Sequence, residues 1–150
     1  MPLDPSFVGR TYPPTAPYEV GREKIREFAE AVGDTNPAYT DAEAARALGH
    51  RDVIAPPTFP FSLTYRAAGQ VVNDPELGLD FGRVVHGDQK FRYTRPIVAG
   101  DRLSVTVSIE SIKSMAGNDV MTVSGEVLDA DGGHVVTSLM MLVARAPEEG

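Results

Sequence analysis

The chain has 150 residues, 42% hydrophobic and 23% charged, with a formal net charge of −7. That is enough for one globular unit with a sizeable core, is ordinary in composition, and has the wrong sign for a nucleic-acid surface. There is no cysteine, which removes disulfides, thiolate nucleophiles and cysteine-ligated metals together. The histidines His50, His86 and His134 lie too far apart for a local His-rich metal motif, so a metal site would have to be assembled by folding, and none is expected. Met1-Pro2-Leu3-Asp4-Pro5 lacks a basic region followed by an apolar run, and no apolar stretch reaches membrane length. No secretory signal or membrane span is expected, and the cytoplasm is the default compartment.

Residues 1–20 carry Pro2, Pro5, Pro13, Pro14 and Pro17, which predicts an extended lead-in with short strand pieces such as Tyr18-Glu19-Val20. From Arg22, Ile25, Phe28, Ala29 and Val32 fall at i, i+3, i+4 and i+7, a helical stripe that Gly33 would cap. Thr40-Asp41-Ala42-Glu43 has the form of a capping box before a short alanine-rich helix closed by Leu48-Gly49. Pro56 and Pro57 precede a helix expected over roughly 57–68, with Phe59, Phe61, Leu63, Tyr65, Ala67 and Ala68 on several faces, as in a buried helix. Gly69 would stand near its end, and residues 70–83 read as a connecting loop.

The rest is strand-like. Phe91 and Tyr93 alternate with Arg92 and Thr94, and Leu103, Val105, Val107 and Ile109 alternate with polar residues as in a half-buried strand. Ala116-Gly117-Asn118-Asp119 is a hairpin signal, and Asp131-Gly132-Gly133 marks the next turn. The run from Val135 to Val143 is apolar on both faces, which predicts a central strand. The tail from about residue 146 to 150 is expected to be disordered. Helices first and an antiparallel meander after them make an α+β order with one core, and no repeat or linker divides residues 1–150.

The segment Gly33-Asp34-Thr35-Asn36-Pro37-Ala38-Tyr39 joins the first two helices. Asp34 is a candidate acid or base, Asn36 offers an amide donor and acceptor, and Pro37 stiffens the turn. Gly-Asp and Asn-Pro also favour turns by themselves, so a loop without chemistry is the plainer reading of these residues alone. His86, before Gly87-Asp88 at a strand start, reads as a structural histidine, His50 and His134 as exposed, and Tyr39, Phe59, Phe61 and Tyr65 as packing residues.

The spacing D-x-N-P-x-(H) resembles the loop of the MaoC-like (R)-specific hydratases and dehydratases, which act on acyl thioesters. The A-P-P-T-F helix entry at 55–59, the stretch Val85 to Pro96, and Ala99-Gly100-Asp101 after it resemble the N-terminal FAS1-like dehydratase subfamily, the actinobacterial hydroxyacyl dehydratase subunit type. The resemblance implies a hotdog fold, an antiparallel sheet wrapped around a central buried helix, and no cofactor. Dehydration of a 3-hydroxyacyl thioester needs a base, an acid and a donor for the developing oxyanion. In the family these are the loop's aspartate and histidine and an N–H at the start of the buried helix. Here Asp34 and Asn36 remain, Tyr39 stands in place of the histidine, and Pro57, at the position of the family's glycine, has no N–H. Thr58 and Phe59 still have theirs.

The resemblance therefore implies a degenerate site of Asp34, Asn36 and Tyr39, with Pro57, Thr58, Phe59, Phe61, Tyr65 and His86 on the substrate side. It implies a subunit of a (3R)-hydroxyacyl thioester dehydratase of fatty-acid or lipid synthesis, weak or inactive alone, taking an acyl group on coenzyme A or acyl carrier protein. Such a chain is a homodimer when made alone, or pairs with a catalytic MaoC-like subunit. The alternatives are a self-sufficient enoyl-thioester hydratase using Asp34 and a non-enzymatic acyl-thioester-binding dimer.

Overall fold

Strict alternation builds the sheet. In the computed structural model, which describes residues 3–146, β3 (Arg102–Met115) buries Leu103, Val105, Val107 and Ile109 and leaves the residues between them partly open. A two-residue turn at Ala116 (φ 53) and Gly117 (φ 82) leads into β4 (Asn118–Leu128), with Met115 opposite Asn118. Two positive φ values in a two-residue loop are those of a type I′ hairpin. β5 (His134–Ala144) follows after the Asp131–Gly133 turn. It is central, as its two apolar faces predict, pairing with β4 on one side and β2 (Val84–Tyr93) on the other.

The sheet order is β1-β3-β4-β5-β2, with β1 at Tyr18–Glu19, so β3, β4 and β5 form a meander but β2 does not. It crosses to the far edge and lies against β5, which corrects the simple meander suggested by the sequence. The expected disordered tail falls, from Pro147 onward, outside the described residues.

The helices precede and fill this sheet. α1 (Arg22–Val32) buries Ile25 and Ala29 and ends at Gly33 (φ 74), whose N–H returns to Ala29 and Glu30. α2 (Ala42–Ala47) is capped by Asp41 rather than Thr40, because the Asp41 carboxylate accepts the Glu43 and Ala44 N–H groups. α3 spans Pro60–Val72, starting and ending later than the expected 57–68. Residues 56–59 form a turn instead, closed by the Phe59 N–H on the Pro56 carbonyl, and Pro60 takes the helical position that needs no N–H. Gly69 does not end α3, because Ala67, Ala68 and Val71 around it are buried. The helix lies across β3, β4 and β5. It is buried on one face only, and Tyr65 is 52% exposed on the other.

The two sheet edges differ. Along β3 the N-terminal segment runs as a strap, with the Gly9, Tyr12 and Thr15 N–H groups bonded to the Ile109, Val107 and Val105 carbonyls. Arg10 pins it to Asp74 and Glu76 at 2.7 and 2.6 Å, and the Tyr12 hydroxyl donates to Asp74. Pro13, Pro14 and Pro17 deny the strap regular pairing. Among the described residues nothing pairs with the outer side of β2.

The R-P-x-x-A-G-D stretch is a lock between β2 and β3. Asp101, 6% exposed, accepts from both guanidinium nitrogens of Arg95 at 2.8 and 3.1 Å, from Arg51 at 3.1 Å and from the Val98 N–H at 2.9 Å. Burial pushes the Asp101 carboxyl up, but these bonds outweigh it and hold it below the usual carboxylate range.

Candidate functional site

Gly33 turns the chain out of α1, and two side-chain bonds then shape the loop. The Asp34 carboxylate accepts the Asn36 N–H at 3.2 Å, and the Asn36 carbonyl oxygen accepts the Ala38 N–H at 3.0 Å, capping a 3-10 turn at Pro37–Tyr39. The turn drives the Tyr39 ring inward, to 6% exposure, while Asp34 stays exposed. The two side chains remain neighbours: burial, and then the Asp34 charge beside it, push the Tyr39 hydroxyl above its ordinary value. Tyr39 is therefore a neutral phenol at physiological pH, able to donate a hydrogen bond and unfit as a base.

They do not face one cavity. Tyr39 lines a hollow of about 280 Å³ with Ile54, Ala55, Pro57, Tyr93 and Arg95. Asp34 borders a separate hollow with Ala29, Glu30 and Thr40. The phenol therefore reaches the entry of α3, with the Asp34 carboxylate beside it on the side of the second hollow.

At that entry Tyr93 donates its hydroxyl to the Pro57 carbonyl at 2.7 Å. The ring is partly exposed but the hydroxyl is enclosed, and burial, then the nearby Tyr39, push it up. The bond fixes the planar peptide unit whose N–H belongs to Thr58. Pro57 and Pro60 have no N–H, and that of Phe59 is spent on Pro56. Thr58 is thus the residue of this turn whose N–H has no partner among the described residues.

Beyond the entry, Phe61, Tyr65 and His86 form a stacked row. Phe61 lies 5.3 Å from Tyr65 and 5.5 Å from His86, centroid to centroid, with interplanar angles of 33° and 34°. Tyr65 and His86 flank a groove of about 460 Å³ between α3 and the inner face of β2 and β5, walled by Ala68, Val72, Val84, Met140 and Leu142, with Phe81 at its lip. His86 is exposed and shares a hydrogen bond with Gln89 at 3.2 Å, so it is a groove residue rather than a structural histidine of the core.

Phe59, in contrast, is fully buried, edge-on to Phe28 at 5.4 Å and 72°, and has no surface for a ligand. His50 and His134 are half-buried, not exposed; His134 contacts Thr94, Thr137 and Glu126. Among the described residues no three His, Asp or Glu side chains are grouped to hold a metal. Sequence reasoning missed Tyr93: its alternation gives its face, but nothing in it signals a partner 36 residues away.

A family model, the FAS1-like dehydratase domain region, matches residues 6–138. The chain belongs to this family. It is 74% identical over 149 residues to the UPF0336 protein of Streptomyces coelicolor, with 99% of each chain covered. Among solved structures it is similar to a MaoC-like dehydratase, at 36% identity and a TM-score of 0.89 over 95% of this chain, and it spans 43% of that longer protein. It is also similar to the C-terminally truncated HadBC (3R)-hydroxyacyl-ACP dehydratase complex of Mycobacterium tuberculosis, at 31% identity and a TM-score of 0.82, covering 91% of this chain and 96% of that one. The curled five-stranded sheet around α3 is thus the α+β hotdog fold that the sequence resemblance implies.

Proposed function

We propose that this FAS1-like dehydratase chain is a subunit of a (3R)-hydroxyacyl-thioester dehydratase of fatty-acid or lipid synthesis, weak or inactive alone, whose task is to hold the acyl chain beside a catalytic partner. The observation that carries the reading is the loop: its carboxylate is kept, but the group brought to the α3 entry is a phenol with a raised pKa where the chemistry needs a base. Asp34, Asn36 and Tyr39 are then a degenerate catalytic set, and Pro57, Thr58, Phe61, Tyr65 and His86 border the acyl path. The groove supports the second half of the reading, since apolar walls with few polar groups suit an alkyl chain.

The partner is argued from the edges. The strap covers β3, whereas β2 offers ten residues of open edge beside the exposed Tyr65 and Phe81. A strand edge of that length invites another strand. We place the partner there, a second copy when the chain is made alone and a catalytic hotdog subunit in the cell. The carrier is coenzyme A or acyl carrier protein, and the compartment is the cytoplasm; no helix among the described residues is long and apolar enough to cross a membrane. The whole chain acts as one domain.

A self-sufficient hydratase using Asp34 is the second reading, favoured by the exposed carboxylate next to the Tyr39 hydroxyl. Hydration of an enoyl thioester, followed by absorbance, decides between them. The chain alone should turn over very slowly, and light scattering should give twice its mass. Brisk turnover abolished by Asp34→Asn would establish the second reading, and a monomer at micromolar concentration would remove the proposed edge pairing.

A further inference from the structure

Besides its apolar walls, the groove between α3 and β2 is lined by Arg66, Gly69 and Asn73 of α3 and its end. Spacings of three and four residues set these one above another on a single stripe of the helix. Asn73 closes α3, with its N–H on the Gly69 carbonyl, and its side-chain amide nitrogen leans back toward Gly69. Nothing in the protein requires a glycine there. Gly69 has ordinary right-handed helical backbone, and a Cβ on it would meet, among the described residues, only the Asn73 Nδ2 at 3.9 Å, an ordinary contact. Glycine inside a helix weakens it relative to alanine, which would fit. The missing side chain leaves a bare patch of helix open to the groove, with a guanidinium on one side and an amide on the other.

Neither polar group is engaged by the rest of the protein. The chain has 21 acidic residues against 14 basic ones, and Arg10, Arg22, Arg26, Arg51, Arg83 and Arg95 all bond carboxylates. Arg66 bonds none among the described residues, and it is exposed on the groove. The Asn73 amide nitrogen likewise has no acceptor among the described residues. Guanidinium and amide N–H groups donate, so what they satisfy together is an oxygen that accepts, and a charged one best. The walls beside them, Val72, Val84 and Leu142, suit an alkyl segment.

We propose that the groove binds an apolar chain joined to an anionic group, a carboxylate or a phosphate, and that the anion lies over Gly69 between Arg66 and Asn73. The proposal rests on the acyl-holding reading for the apolar part and adds the charged end. Two sources supply that chemistry: the carboxylate of a free fatty acid, and the phosphate of a carrier arm laid along α3. Gly69 stands nine residues beyond Pro60, roughly 13 Å along the helix, so the anion is held apart from the Thr58 N–H at the α3 entry.

The test titrates the full-length chain, by calorimetry, with two pairs of ligands. Dodecanoate is set against the uncharged N-acetylcysteamine thioester of dodecanoic acid, and the phosphopantetheine thioester against the pantetheine thioester. In at least one pair the anion should bind about tenfold tighter than its uncharged counterpart, the effect of a hydrogen bond to a charged group. A gain for dodecanoate assigns the site to a free fatty acid, and a gain for the phosphopantetheine thioester assigns it to the carrier. In Arg66→Gln that advantage should fall to about twofold or less while the uncharged ligand binds as before. Gly69→Ala should also lose most of it, yet melt about 2–4 °C higher than the parent. If the uncharged thioesters bind and neither anion exceeds its counterpart, or if the advantage survives Arg66→Gln or Gly69→Ala, the proposal fails and the acyl-holding reading stands. A lower melting point in Gly69→Ala would show that the glycine serves the fold, and would also overturn the proposal. If the anions bind and the uncharged thioesters do not, the anion site stands and the acyl-holding reading falls. If no ligand binds, both fall.

Discussion

Replacing Tyr39 with histidine is the sharpest test of why the loop would be silent. The substitution keeps a planar ring at a position 6% exposed, next to a hollow of about 280 Å³, so the smaller imidazole fits without overpacking. It supplies an imidazole, ordinarily titrating near ~6.5, in place of a phenol that burial and Asp34 hold above its ordinary value, and positioned acid–base assistance is worth ~10²–10⁴-fold. The structure sets the expectation at the low end. The α3 entry offers only the Thr58 N–H to a developing oxyanion, and one lost donor costs ~10²–10³-fold. Tyr39→His alone should raise enoyl-thioester hydration by about 10²-fold or less, and Tyr39→His with Pro57→Gly by about a further 10²-fold. The Tyr93 bond survives the second change because it ends on a backbone carbonyl. Asp34→Asn in the double variant should remove the gain. If the double variant folds with an unchanged circular dichroism spectrum and still shows no gain, the missing imidazole and N–H are not what silences the site.

Stability tests address the frame around it. Ala116 holds a left-handed conformation that costs a non-glycine residue about 1–2 kcal/mol, so Ala116→Gly should raise the denaturant midpoint by an equivalent of about 1 kcal/mol, and a lowered midpoint would contradict the turn assignment. Asp101→Asn should cost about 2–3 kcal/mol, less than the ~3–5 of a fully buried pair because Arg95 is partly exposed; a change under about 0.5 kcal/mol would show that the turn lock is not structural. The strap should loosen in acid. Hydrogen bonds from Tyr12 and Arg10 hold the Asp74 carboxyl down to about 2, below its unfolded value of ~3.9. Its contribution is present above about pH 4 and disappears as the pH falls through about 2. Hydrogen-exchange protection at Tyr12 and Thr15 should drop across that window before the core strands respond, and strap protection that tracks the core would refute the pinning.

The fold was legible where one period ruled a segment. The stripe of α1 and the alternation of β3 follow from burying one face against one neighbour. What escaped was long-range or local competition. Whether β2 lies beside β3 or crosses to β5 is a long-range pairing that the alternation within β2 does not encode. The start of α3 moved because Pro60, and not Pro57, takes the helical position that needs no N–H. At the site, the loop motif showed that Asp34 and Tyr39 would be neighbours, but not that they would face different hollows. The aromatic residues read from the sequence as packing divide in the structure: Phe59 goes to the core against Phe28, whereas Tyr65 lines the groove, and the residue pattern of the segment does not tell the two apart.

The loop itself explains how a histidine can be absent while the rest of the motif remains. Asp34 and Asn36 each close a turn by accepting a backbone N–H, of Asn36 and Ala38 respectively, and Pro37 begins the 3-10 turn that those bonds shape. These residues are needed for the path of the chain whether or not any reaction occurs there. The residue at position 39 carries no such duty toward the backbone; its ring needs only to fill the space between the loop and the α3 entry, which a tyrosine does while burying more apolar surface than an imidazole. An intact D-x-N-P is therefore weak evidence for catalysis by itself, and under the proposed function the ring at position 39 is the residue whose exchange tests it.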